Sequence, residues 1–138
     1  MPGLTLADAR IALDAGLAEA DAIGQPMNVA VVDDGGHLLA FARQDGAIRA
    51  SIDIAQRKAT TSILMEAPTA ALMPLVQPGA ELYGLEQTSG GMVVFGGGIP
   101  VFRDGRLVGA VGVSAGSAEQ DVAVATAAVA AISTPVPA

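Results

Sequence analysis

The sequence predicts an α+β fold in which helices pack on a five-stranded antiparallel sheet, in the order α-β-β-α-(short α)-β-β-β-α. Three segments have apolar residues at helical spacing, and the strand signals come in runs separated by short turns. The strict alternation of strands and helices that a parallel sheet requires is missing. With 138 residues, 51% of them apolar, we expect one domain spanning 1–138, with its core at about 5–132 and a frayed tail at 133–138.

The first half of the chain predicts a helix, a hairpin and a second helix. Thr5 is a suitable N-cap for the first helix, which ends before Gly24–Pro26. The runs NVAVV at Asn28–Val32 and HLLAFAR at His37–Arg43 predict two strands joined by an Asp-Asp-Gly-Gly turn. Helical spacing then returns from about Ile48 to Met65.

The second half predicts an irregular segment, three strands and a last helix. Prolines in residues 66–83 leave room for only one short helical turn, around Thr69–Val76. Ser117 and Gln120 form a capping box in front of a helix that runs to about Ile132. The intervening strands are predicted as an antiparallel meander at Met92–Phe95, Ile99–Phe102 and Leu107–Val113.

Composition excludes several classes of function. The chain has no cysteine, and His37 is its only histidine, so thiolate chemistry and a multi-histidine metal site within one subunit are excluded. A formal net charge of −7 argues against binding to nucleic acid or to an anionic membrane. No signal-peptide or transmembrane pattern is present, so we expect a cytoplasmic protein with no membrane partner.

The balance of apolar and charged residues predicts self-association. Only 15% of the residues are charged, which leaves few groups to cover the surface of so apolar a domain. We therefore expect part of the apolar surface to be buried in a homo-oligomer.

Three side chains are candidates for chemistry, each with a structural alternative. His37 suits an axial ligand of haem iron or a general acid–base, but a histidine after Gly-Gly is also typical of an exposed hairpin. Lys58 lies on a mostly apolar sector of the second helix, which suits a general base or a lysine paired with Asp45 or Asp121. Arg43 suits either a structural ion pair with Asp45 or a polar wall for an acidic ligand.

Two backbone features have the same double interpretation. Gly96–Gly98 belongs to neither a Walker A loop nor a dinucleotide fingerprint, and it either brings N–H groups to a ligand or only lets the chain bend. The start of the last helix suits an anion, although its capping residue Gln120 and the dipole partner Asp121 explain the same pattern.

Four segments together resemble the GlcG/HbpS family of haem-binding-type proteins. They are VVDDGGHLLAFARQDGA at Val31–Ala47, AQRKATTS at Ala55–Ser62, VVFGGGIPVFRDGRLVGAVGVSAG at Val93–Gly116 and EQD at Glu119–Asp121. The resemblance covers about Leu6 to Ile132. The chain departs from the common Ser-Gly-Gly form of the family at Ala115.

This resemblance implies a profilin-like three-layer sandwich, dimers or larger assemblies such as octamers, and a pocket near subunit interfaces. Family members are linked to haem binding, haem degradation and sensing, to glycolate-utilisation gene clusters, and to the C-terminal domain of one corrinoid adenosyltransferase class. Because functions within the family differ, the chemistry of the site has to decide among them.

Our first hypothesis is a homo-oligomeric protein that binds haem or a related tetrapyrrole. His37 is the candidate axial ligand of the iron, Arg43 and Lys58 are candidate propionate partners, and Gly96, Gly97 and Gly98 form a wall. The EQD segment adds Gln120 and Asp121 to the candidate binding residues.

Two alternatives belong to other classes. One is a cofactor-independent enzyme for a small carboxylated or enolisable metabolite, with Lys58 or His37 as general base and Arg43 as the carboxylate anchor. The other is a non-catalytic interaction module.

Overall fold

A computed structural model describes residues 3–133. The predicted tail, apart from Ser133, lies outside this range. The elements follow in the order α1 (Leu6–Ile23), β1 (Asn28–Asp33), β2 (Leu38–Arg43), α2 (Ala50–Met65), two 3-10 helices (Thr69–Leu75 and Leu85–Gln87), β3 (Gly98–Arg103), β4 (Arg106–Ser114) and α3 (Ala118–Ala130). No helix in this range is long and apolar enough to cross a membrane.

The sheet has four antiparallel strands in the order β2-β1-β4-β3. Helices α1 and α3 pack together on one face, and α2 packs on the other against β1, β3 and β4. The α+β class is therefore confirmed, but the expectation of five strands was wrong.

The missing strand is Met92–Phe95, which is irregular chain. Gly90 and Gly91 before it have φ angles of 78° and 108°, in the left-handed region. The N–H of Met92 donates to the carbonyl of Glu86, and that of Val93 donates to Oγ1 of Thr61 on α2. These donors are satisfied by the second 3-10 helix and by α2, so the apolar run does not add a strand to the sheet.

Both long helices that cover the first face begin as the sequence predicted. Thr5 and Asp8 form a reciprocal capping box at the start of α1, and Ser117 and Gln120 form one at the start of α3. Helix α1 ends at Gly24, whose φ of 71° is the usual C-terminal conformation for glycine.

Glycines in the sheet let α2 approach it closely. A Cβ atom on Gly112 of β4 would collide with the backbone carbonyl of Ala55, and one on Gly98 of β3 would collide with that of Lys58. Long side chains would hold α2 farther from the strands. The close approach brings the side chain of Lys58 within reach of the end of β4.

Candidate functional site

Lys58 and Asp121 form an ion pair between α2 and α3, beneath the protein surface. Lys58 Nζ lies 2.9 Å from Asp121 Oδ2 and donates a second hydrogen bond of 2.8 Å to the carbonyl of Val113. The other carboxylate oxygen of Asp121 accepts from the N–H of Gly116 at 3.0 Å. Of the two carboxylates that the sequence suggested for Lys58, the structure pairs it with Asp121.

Burial disfavours the charged form of both partners. Desolvation lowers the pKa of Lys58 below its usual value, although the hydrogen bond and charge of Asp121 oppose the shift. Desolvation likewise raises the pKa of Asp121, against the opposite effects of Lys58 and of the Gly116 and Ala115 N–H groups. Burying the two charges therefore costs desolvation free energy, which the hydrogen bonds of the pair offset.

The glycine loop closes over this pair. A Cβ on Gly97 would lie 2.6 Å from Lys58 Nζ, and the φ of Gly97, 132°, also favours glycine. Its carbonyl accepts from Val113 N–H at 2.9 Å, and Gly98 N–H donates to Thr69 Oγ1 at 2.9 Å. These contacts explain two of the three glycines by close packing within the chain.

Phe95 is a residue of this site that the sequence did not single out. Its ring centroid lies 5.0 Å from Lys58 Nζ, which is within the range of a cation–π contact. Phe95 is 38% exposed, whereas the Lys58 side chain next to its ring is fully buried. No local pattern indicated this role, because the contact joins residues that are far apart in sequence.

A mostly apolar groove of about 530 Å³ lies on the outer side of Phe95. It runs between the first 3-10 helix, the glycine loop and the start of α3. Its one charged lining side chain is that of Glu119. The residues that line it are Ala70, Met73, Phe95, Gly96, Ala118, Glu119 and Val122.

The first turn of α3 is occupied by its own capping contacts. Gln120 Oε1 accepts from the N–H of Ser117 at 2.9 Å, and Asp121 is committed to Lys58 and Gly116. The side-chain oxygen of Gln120 and the carboxylate of Asp121 thus have partners within the chain.

His37 lies elsewhere, in the exposed turn between β1 and β2. Its backbone N–H donates to Asp33 Oδ1 at 2.9 Å, which holds the turn together with a matching bond from Gly35. Within residues 3–133 the imidazole itself has no recorded hydrogen bond or ion pair. Leu38, the next residue, is 51% exposed.

Arg43 lies at the opposite end of β2 and is exposed. It contributes to a polar cavity of about 490 Å³, shared with Asp21 and Asp45. The guanidinium has no ion pair with a residue of the described part of the chain. The predicted Arg43–Asp45 pair is therefore absent there.

The structure divides the predicted site residues into three places. Lys58, Asp121 and Gly96–Gly98 come together in the interior, with Gln120 beside them. His37 and Arg43 lie at the two ends of one strand, so a single subunit brings neither to the lysine. Within residues 3–133, these residues do not line one common pocket.

Comparisons with known proteins agree with this fold. Residues 4–130 match the family model described as haem degrading protein HbpS-like. The chain is 38% identical over 100 residues to the protein GlcG of Escherichia coli K12, covering 72% of each chain. It is 44% identical over 108 residues to the corrinoid adenosyltransferase PduO of Salmonella typhimurium, covering 78% of this chain and only 32% of PduO.

A solved structure gives the same result in three dimensions. The crystal structure of a PduOC:heme complex superimposes with a TM-score of 0.90 at 40% identity, covering 94% of this chain and 95% of that one. The sequence match over nearly the whole length and the shared fold agree, and the chain belongs to the HbpS-like family.

Proposed function

We propose that this chain binds haem on the surface around His37, with the imidazole as axial ligand of the iron. The observation that carries the proposal is the free imidazole. It is exposed beside an exposed leucine, and no contact within residues 3–133 occupies its nitrogens. Nitrogen ligation by histidine is a common way for proteins to hold haem iron. The haem complex of a relative, PduOC, supports haem as the bound molecule.

The residues around His37 fit a haem in two respects. The imidazole supplies the nitrogen donor, and Leu38 together with the half-buried Phe41 supplies apolar surface for the macrocycle. The bound iron would supply redox chemistry. The acidic turn residues Asp33 and Asp34 do not suit propionates, and the guanidinium of Arg106 already faces Asp34 at 4.0 Å. One subunit therefore offers a nitrogen donor and an apolar surface beside it.

The groove outside Phe95 fits haem less well. It has enough apolar surface, but among its lining residues there is no nitrogen donor and no cation, and Glu119 would repel propionates. Lys58 lies under Phe95 with its ammonium already bonded to Asp121 and Val113. The same burial weighs against Lys58 as the general base of an enzyme.

A haem titration of the purified protein tests the proposal. We expect a saturable Soret band, a submicromolar dissociation constant, and at least a tenfold loss of affinity in His37→Ala, equivalent to about 1.4 kcal/mol. The control is Tyr83→Phe, because Tyr83 is the only tyrosine and is 68% exposed, so it is the competing oxygen ligand. Haem binding that weakens in Tyr83→Phe and not in His37→Ala would refute the assignment.

A further inference from the structure

We infer that the groove outside Phe95 binds a small molecule that carries a flat aromatic ring and a positively charged amine. The ring stacks on Phe95, and the ammonium pairs with the carboxylate of Glu119. The groove shares no lining residue with the surface around His37. The inference therefore goes beyond the proposed function and does not depend on it.

Small residues keep the groove open. A Cβ atom on Gly96 would lie 2.8 Å from Cγ2 of Val122 and 3.5 Å from Cβ of Ala70, so a side chain at this position would occupy the groove. Ala118, on the α3 side, is exposed. The resulting volume of about 530 Å³ lies within the range of pockets that hold small ligands, about 300–1,000 Å³.

Phe95 offers a platform for an aromatic ring. On its inner side, the Lys58 ammonium lies 5.0 Å from the ring centroid. A cation at one face of a ring attracts the π electrons and leaves the opposite face less negative. An electron-rich aromatic ring therefore stacks well on the outer side, whereas a second cation gains little there. Met73, which also lines the groove, adds a thioether that makes favourable contacts with ring edges.

Glu119 determines the charge that the groove accepts. Its side chain is the only charged one among the lining residues, and none of the ion pairs within residues 3–133 includes it. The N–H groups of Ser117 and Gln120, which could otherwise hold an anion at the start of α3, already bond to each other's side chains. The groove therefore favours a ligand with an ammonium over one with a carboxylate.

Tryptamine is a suitable probe for this site. It has an indole ring and an ammonium, and because the chain contains no tryptophan, the indole fluorescence comes from the probe alone. We expect the fluorescence anisotropy to show saturable binding with a dissociation constant below about 1 mM. Indolepropionate keeps the ring and reverses the charge, and cyclohexylethylamine keeps the ammonium and lacks the aromatic ring. Each should bind at least about tenfold more weakly, as measured by competition with tryptamine.

Two variants separate the contribution of the ring from that of the charge. Phe95→Leu keeps an apolar side chain but removes the platform, so tryptamine should bind about tenfold more weakly and cyclohexylethylamine should change by less than about threefold. Glu119→Gln keeps the shape and removes the charge. It should weaken tryptamine about tenfold and leave indolepropionate no weaker than in the wild type.

Matched controls replace the same residue types outside the groove. Phe102 is 40% exposed on β3, and Glu81 is exposed in the irregular segment. Phe102→Leu and Glu81→Gln should therefore bind tryptamine like the wild type. Ala118→Leu places a larger side chain at an exposed lining position, so it should weaken tryptamine about tenfold even if Phe95→Leu does not fold. Circular dichroism checks the fold of each variant.

The outcomes distinguish this inference from the proposed function. Equal binding of tryptamine and indolepropionate would overturn it, and so would wild-type affinity for tryptamine in folded Ala118→Leu. His37→Ala should lose affinity for haem and keep its affinity for tryptamine. If His37→Ala loses both, tryptamine binds at the haem surface and the groove is not its site. If the wild type binds no haem, the proposed function fails, and the tryptamine titrations still decide the groove.

Discussion

Lys58 Nζ and Asp121 Oδ2 lie 2.9 Å apart, with the lysine side chain fully buried and that of the aspartate only 4% exposed. The pair joins α2 to α3 beside the end of β4, beneath the glycine loop. Its polar atoms are satisfied by one another and by the backbone of Val113 and Gly116. This arrangement makes Lys58 part of the framework of the fold.

Lys58→Met should therefore destabilise the protein strongly. The substitution leaves the Asp121 carboxylate buried without its counter-ion, which costs about 3–5 kcal/mol in comparable pairs. The double variant Lys58→Met with Asp121→Asn should recover part of this loss, because a neutral amide still accepts from Gly116 N–H. Urea unfolding of the single and double variants measures both effects. If Lys58→Met unfolds with a free energy within about 1 kcal/mol of wild type, Lys58 does not have this structural role.

Ala115→Gly should stabilise the protein. Ala115 is the position where this chain departs from the Ser-Gly-Gly form common in the family. Ala115 has a φ of 139°, a conformation that residues with a Cβ rarely adopt and that costs about 1–3 kcal/mol. Glycine relieves this strain. It also raises the conformational entropy of the unfolded chain, which lowers the folding stability by about 0.5–1 kcal/mol. We expect a net gain of about 1 kcal/mol.

The control for this substitution is Ala131→Gly. Ala131 has an ordinary φ of −71°, so glycine there relieves no strain and brings the entropic loss together with the loss of a partly buried methyl group. Thermal unfolding of the two variants should shift the melting temperature in opposite directions. Equal destabilisation by both would show that Ala115 is not strained.

The predicted elements and the predicted site differ in how far local sequence determines them. The three helices, the first hairpin and the β3–β4 hairpin follow from periodicity, caps and turns that lie within each segment. Met92–Phe95 has the composition of a strand, but its backbone conformation depends on hydrogen bonds to Thr61 and Glu86. Thr61 is distant in sequence, and Glu86 lies in the preceding 3-10 helix. The position of Lys58 on its helix indicated burial, whereas the choice of Asp121 over Asp45 needed the packing of α3. His37 precedes β2 and Arg43 ends it, so an extended strand separates the two residues. This strand was predicted, but the hypothesis of one shared pocket did not take its length into account.

Asp8 should make folding stability depend on pH in the acid range. Partial burial acts to raise the pKa of Asp8, but hydrogen bonds from Arg103 and from Thr5 outweigh it and hold the pKa below its usual value of 3.8. Because the folded pKa is depressed, the stabilisation is fully present above the unfolded pKa and is lost as the pH falls through the folded one. Asp8→Asn should cost about 1–2 kcal/mol at pH 7 and about nothing once the pH lies below the folded pKa of Asp8.

The matched control for Asp8→Asn is Asp53→Asn. Asp53 also pairs with an arginine, Arg57, at 2.7 Å, but its side chain is 69% exposed, so the pair is screened by solvent. Urea unfolding at several pH values should show a pH-dependent difference from wild type for Asp8→Asn and almost none for Asp53→Asn. A constant difference across the pH range for Asp8→Asn would mean that its effect comes from the lost helix cap and not from the carboxylate charge.

The reactivity of Lys58 towards amine reagents tests whether Phe95 seals the interior pair. Lys58 is the only lysine in the chain, so modification of a side-chain amine reports on this site alone. In the native protein we expect the ammonium to resist acetylation, because it is fully buried and its neighbours are Asp121, Val113 and the Phe95 ring. Phe95→Ala should open a path from the groove and raise the modification rate by roughly tenfold or more, whereas Phe102→Ala should not. Mass spectrometry of the peptide that contains Lys58 measures the rate. Equally rapid labelling of wild type and Phe95→Ala would show that the lysine is reachable from the groove. Lys58 would then again be a candidate catalytic base.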